Sequence, residues 1–173
     1  PGEKSYTDEE LRATAERTSL PRAAFAGWTL ASRYELPAVR LDHLLRMTDG
    51  TGLFQHALYN VPNFNGGYCT DDNARAFILC QQLEEHGGRS PVENLDGLLT
   101  TYLAFLSAAL NRDSGRFRNF MSHDRRWLED AGSEDSHARA LWGLGVATAL
   151  CPHESMIALA TRLFRAGLPA IES

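Results

Sequence analysis

Two stretches of this chain are copies of one another. "TGLFQ" at 51–55 returns as "SGRFR" at 114–118, and "ARAF" at 74–77 returns as "ARAL" at 138–141, at offsets of 63 and 64 residues. A chain that repeats itself in this way builds its core by stacking copies of one supersecondary unit, each packed on its neighbour. The unit reads loop, helix, turn, helix, and it divides the chain into hairpin units of approximately 49–110 and 111–167. The period is longer than that of the common solenoid repeats. It suits helical hairpins whose connecting loops are enlarged for a task.

The helical signals come in order. "TDEELRATAERT" opens with Thr7 or Asp8 as cap and with Glu9 and Glu10 at the positive end of the helix dipole. Helices are expected over 21–34 and 38–48, parted by Pro37, and residues 49–70, with four glycines, read as a long loop. "DDNARAFILCQQLEEH" is a helix capped by Thr70 or Asp71 and stopped by Gly87 and Gly88, and the next helix begins at Pro91. After a second loop over 111–133, "EDSHARALWGLGVATAL" and "SMIALATRLFRAG" form a second helix pair broken at Pro152. Strand-like alternation is confined to short pieces of the two loops, so the class is all-α. From Ala138 to Leu150 only Arg139 is charged, and from Ala74 to Cys80 only Arg75 is. Such helices are expected to be buried all round as an inner layer, with Trp142 in the core, while the helix over 91–110, with Glu93, Asp96 and its threonines, faces water.

Composition removes several classes of function. A single domain of 173 residues, 43% hydrophobic and 23% charged, holds a real core. The net charge of -5 comes without any basic tract to follow a phosphate backbone, so no nucleic-acid partner is expected. Cys69, Cys80 and Cys151 are an odd number without close pairs, which favours reduced thiols and a cytoplasmic setting. No run approaches the roughly 18 apolar residues of a membrane helix, so no membrane partner is expected. No cofactor motif or metal-ligand spacing is present; His123, Asp124 and His137 have the donor types but not the pattern.

The repeat also sorts the carboxylates. Asp71 and Arg75 are four apart, as are Asp135 and Arg139 at the equivalent positions. An acid four residues before a base shares its helix face, so both pairs read first as structural. They also stand at the helix mouths, which keeps Asp71 and Asp135 in the substrate-facing set. What does not repeat is the second acid, Asp72 in one mouth and Glu134 in the other. Two carboxylates on neighbouring inner helices suit the general acid and general base of glycoside hydrolysis, with Glu134 as proton donor and Asp72 as base. The loops add aromatic rings for pyranose faces in Tyr68, Trp127, Tyr59 and Phe64. Hydrogen-bonding groups for sugar hydroxyls come from His56, Arg125, His123, Asp124, Arg126, Asn63, Asn65 and His137. Proton-shuttling isomerisation would rest on His137 and His56. Thiol chemistry would rest on Cys69, whose position beside a helix N-terminus is expected to lower its pKa, though no base accompanies it.

Taken together, "HLLRMTDGTGLFQHA", "GGYCTDDNARAFIL" and "GSEDSHARALWGLG" resemble the (α/α)-toroid domains of the six-hairpin glycosidase-like superfamily. In particular they resemble the bacterial domain attached to, or encoded beside, GT-B-type glycosyltransferases. The resemblance covers about residues 38–150. It implies an inner ring of helices whose N-terminal ends line a carbohydrate cleft, which would take an oligosaccharide or glycoside at Asp72 and Glu134. It further implies either acid–base cleavage or a non-catalytic saccharide-binding or scaffolding role beside a glycosyltransferase. With only two full units visible, about half of a toroid is expected. Its core would be completed by a homodimer or by the remainder of a larger toroid.

Overall fold

The computed structural model describes residues 39–85 and 95–171. The helices expected over 7–18 and 21–34, the break at Pro37, and the Gly87, Gly88 and Pro91 boundaries lie outside the described residues. Within them stand five α-helices: α1 (Asp42–Arg46), α2 (Thr70–Glu85), α3 (Leu95–Ala109), α4 (Glu134–Leu150) and α5 (Glu154–Gly167). Strands appear only as short pieces inside the two loops. β1 (Ala57–Leu58) pairs with β2 (Val61–Pro62), and β3 (Tyr68–Cys69) pairs with β4 (Phe120–Met121), both antiparallel. The chain is mainly helical, and α1 is shorter than the helix read over 38–48. Among the described residues no helix is long and apolar enough to cross a membrane.

The helices pack two by two. Asp71 of α2 meets Arg139 of α4, and Gly143 of α4 lies against Ala74 of α2, so the contacts advance together and the two helices run parallel. A Cβ at Gly143 would stand 3.2 Å from the Ala74 carbonyl oxygen, which explains a glycine in the middle of a helix at this crossing. α5 returns antiparallel along α4, with Phe164 beside Gly145 and Gly167 beside Leu141. α3 backs α2 and also touches α5. One core cluster joins these helices through Phe77, Leu99, Tyr102, Leu106, Leu144 and Leu163. A second gathers Met47, Phe54, Tyr68, Phe105 and Met121 under the loops.

Burial corrects the expected layers. The helix assigned to face water, α3, buries eight of its fifteen residues, among them Leu99, Tyr102 and Leu106, while Asp96, Thr100, Ala104 and Ala108 are exposed. Its polar and small residues form one stripe four apart, and a charge count misses such a stripe. Conversely α4 is not covered all round. Ala138, Trp142, Thr148 and Ala149 are exposed, and Trp142, expected in the core, is 56% accessible. Absence of charge marks a helix that water does not favour, but it does not supply a neighbour to cover it.

The repeat extends to hydrogen bonds that differ in residue type. Asn73, in the first turn of α2, accepts the Leu53 N–H at 2.8 Å and donates to Leu53 and Cys69 carbonyls. Its counterpart His137, in the first turn of α4, accepts the Phe117 N–H at 3.2 Å on Nδ1 and donates from Nε2 to Gly167 O at 3.1 Å. Each side chain therefore pins the loop that precedes its helix. His137, expected to face substrate, is corrected here. It is 0% accessible with both ring nitrogens engaged by backbone, so it neither reaches a ligand nor shuttles protons.

This arrangement holds His137 neutral. Burial, reinforced by the Arg116 charge, depresses its pKa below the ordinary 6.5. As pH falls through about 6.5 the unfolded chain takes up a proton that the folded chain refuses, so this group withdraws stability below that pH. We predict that His137→Ala costs about 1–3 kcal/mol in urea unfolding at pH 7.5, because it strands a buried N–H. His137→Asn, which borrows the solution used at position 73, should cost less. Both variants should lose less stability than the parent between pH 7 and 5. An equal pH dependence in all three would contradict the assignment.

Candidate functional site

The mouth of α2 is assembled by the loop of the following unit. The β3–β4 ladder sets Tyr68 opposite Met121 and Cys69 opposite Phe120. Gly67 makes this approach possible: it has a φ of 59°, and a Cβ there would stand 2.2 Å from Met121 O. Past the ladder, Thr70 N–H donates to Asn119 O at 2.8 Å, the Thr70 hydroxyl donates to Arg118 O, and Asp71 N–H donates to Asn119 Oδ1 at 3.2 Å. These bonds satisfy first-turn donors that a helix cannot satisfy itself. The α4 mouth uses its own cap: the Ser133 hydroxyl accepts the Ser136 N–H.

A chain of alternating charge runs across the two mouths. Arg75 bridges Asp72 and Asp71, the latter at 2.6 Å; Asp71 also meets Arg139 at 2.6 Å; Arg139 continues to Asp135 at 3.0 Å. The Asp135 hydrogen bond first, and then the charge of Asp71, raise the Arg139 pKa further. The pairs read from i,i+4 spacing thus form, and Asp71 joins one helix to the next. Arg75 lies at the surface, not in the core.

The two acids proposed for catalysis have separate surroundings. Asp72 has both oxygens in use, Oδ1 with Arg75 and Oδ2 accepting the Cys69 thiol at 3.0 Å. Burial, with the Asp72 carboxylate beside it, pushes the Cys69 thiol up to about 12, so it stays protonated as a donor. The lowering expected from the helix N-terminus does not prevail, and thiolate chemistry is disfavoured. Asp72 edges a hollow of 280 Å³ whose other walls include His43, Gln55, Phe54 and Met47. Glu134 is not among them. It is 80% exposed and held at 2.7 Å by Arg116, which also donates to Gly132 O.

The remaining expected site residues fall into three groups. Arg125 and Trp127 come together, lining a second hollow of 330 Å³ with Thr51, Phe105 and Met121. Arg125, at a φ of 63°, donates from Nε to the Thr51 hydroxyl at 3.0 Å, and the Trp127 ring packs edge-on to Phe105. Residues 50–55 contribute walls to both hollows. His56 is exposed on the first loop and Asp135 is exposed in the charge chain. Tyr68, expected to stack on sugar, is corrected: it is 1% accessible, packed on Phe54 at 4.7 Å, and its hydroxyl donates to Asp49 at 2.7 Å.

Asp49 is a residue the sequence reading passed over. Burial works to raise its pKa, but hydrogen bonds from Tyr68, Thr51 N–H and Gly52 N–H outweigh it and hold the pKa below the ordinary 3.8. "TDGTG" carried the signal, since an aspartate two or three residues ahead of accepting N–H groups is an Asx-turn pattern. Asn119 and Arg116 had no such local signal, because their partners are far along the chain. Among the described residues no group of three or more His, Cys, Asp or Glu could hold a metal. Comparison with protein-family models and with curated proteins gives no match to this chain.

The Asp71–Arg139 contact is the only ion pair among the described residues that links α2 to α4. A double-mutant cycle with Asp71→Asn and Arg139→Met should return a coupling of about 1 kcal/mol that shrinks as salt is added. Strict additivity would show that the two groups meet without holding the helices together.

Proposed function

We propose that this chain is a saccharide-binding helical-hairpin domain, and that bond cleavage, where it occurs, belongs to another domain or protein. The observation that carries the reading is the hollow at Asp72. Its volume of 280 Å³ lies just below the range of drug-sized ligand clefts, about 300 to 1,000 Å³, and suits one sugar unit. Its polar edge is a carboxylate, an imidazole and an amide, the groups that exchange hydrogen bonds with hydroxyls, set over an apolar floor. The neighbouring hollow offers an indole and a guanidinium at the far end of the same loop segment, which supports a second contact for a longer saccharide.

Cleavage is the weaker reading. Acid–base hydrolysis needs two carboxyl groups facing one bond, roughly 5–10 Å apart. Among the described residues lining its hollow Asp72 is the one carboxylate, and Arg116 engages Glu134 elsewhere. The resemblance to toroid domains found beside glycosyltransferases is compatible with a binding or scaffolding role.

Calorimetric titration with a panel of mono- and oligosaccharides tests this. We predict saturable binding of at least one saccharide, weakened about ten- to a hundredfold by Asp72→Ala and more mildly by Trp127→Ala. The same samples should release no reducing ends from that saccharide. Turnover that Asp72→Asn and Glu134→Gln both abolish would restore the hydrolytic reading, and failure to bind any saccharide would remove the carbohydrate reading altogether.

A further inference from the structure

Arg125 is a cation whose neighbouring acids are all engaged by other groups. Asp124, beside it in the chain, pairs with Arg126 at 2.7 Å and accepts the Ser122 hydroxyl. Asp49, whose carboxylate acts on Tyr68 together with the Arg125 charge, is filled by the Tyr68 hydroxyl and by the Thr51 and Gly52 N–H groups. Among the described residues Arg125 thus has no carboxylate partner, in a chain that holds 22 acids to 17 lysines and arginines. Its side-chain hydrogen bond there is to a neutral group, Nε donating to the Thr51 hydroxyl at 3.0 Å.

The backbone is bent to hold this cation in place. Arg125 has a φ of 63°, a region that costs a residue with a side chain on the order of 1 kcal/mol or more. The turn around it is closed by two bonds of 2.9 Å, Arg125 N–H donating to Ser122 O and Ser122 N–H donating to Arg126 O. With Nε held by Thr51, the two Nη groups remain as a fork, the geometry that grips both oxygens of one carboxylate. The hollow of 330 Å³ beside it suits such a group, because Arg125 is the one charged residue among the described residues that line it. Trp127, braced edge-on by Phe105, adds a flat apolar surface to the same wall.

We propose that the Arg125–Trp127 hollow is a subsite for an acidic sugar, a hexuronate unit whose carboxylate takes the Arg125 fork while its ring lies on Trp127. This rests on the saccharide reading and narrows it to acidic saccharides. The Asp72 hollow takes an uncharged unit of the same saccharide, since its own carboxylate repels a second one.

Calorimetric titration of the whole chain with di- and trisaccharides containing glucuronate or galacturonate, each beside its neutral methyl ester, tests this. At least one uronate should bind about tenfold or more tightly than its ester, and added salt should narrow the gap. Arg125→Gln should abolish that preference while changing ester binding less than about threefold. Arg125→Gly, which suits the left-handed backbone, should abolish it too with the thermal midpoint kept or raised, separating loss of the fork from loss of folding. Saccharide binding in which no uronate outperforms its ester overturns this inference and leaves the saccharide reading standing. A preference that survives both Arg125 variants overturns it as well, as does capture through Arg125 of sulfated sugars but of no uronate. Failure of acidic and neutral saccharides alike removes the saccharide reading and this inference with it.

Discussion

The close approach of α2 and α4 governs the arrangement of everything else described here. Two parallel helices meet where Gly143 lets the α4 backbone reach the Ala74 carbonyl, and Arg139 closes the contact at the mouth by reaching Asp71. Parallel packing sets both helix N-termini at one end. There Asn119 bonds the first turn of α2, and Gly132, just ahead of α4, lies against the same asparagine. A larger residue at 143 would push the mouths apart and pull the second loop away from Thr70. The β3–β4 ladder, the charge chain and the Asp72 hollow would follow.

Each unit then spends one polar side chain in the first helical turn on fixing its own loop. Asn73 and His137 differ in chemistry and agree in task, because either an amide oxygen or an imidazole nitrogen can accept a backbone N–H in a dry site. The enlarged loops are consequently not loose. The first is tied at Leu53 by Asn73 and at Asp49 by the Tyr68 hydroxyl. The walls of both hollows are thus set on a fixed frame, and loops built this way suit binding better than loops left to order on the ligand.

The parts legible in the sequence were those whose physics is local. Acid and base four residues apart on a helix must lie on one face, so Asp71–Arg75 and Asp135–Arg139 were readable from spacing. So were the helical class and the short strands in the loops. Tyr68, His137 and Trp142 were misplaced for the opposite reason: whether a ring is a core plug, a backbone clamp or an open surface depends on a neighbour dozens of residues away. The two-fold use of Asp71 and the separate arginine on Glu134 were hidden likewise, since spacing reveals a residue's own helix and not the next one. The misjudged α3 shows a limit of counting charges, because Asp96 and the threonines occupy one stripe of a helix that is otherwise buried.

The direction of α2 relative to α4 carries the account, and distances between spin labels measure it directly. With labels in pairs at 75 and 138, 75 and 149, and 84 and 138, all surface positions, the parallel arrangement predicts a short distance for the first pair. The other two should be longer, by an amount approaching the 1.5 Å rise per residue over the intervening turns. A long 75–138 distance together with short cross-end distances would mean that the helices run antiparallel, and that the two mouths do not share one end of the molecule.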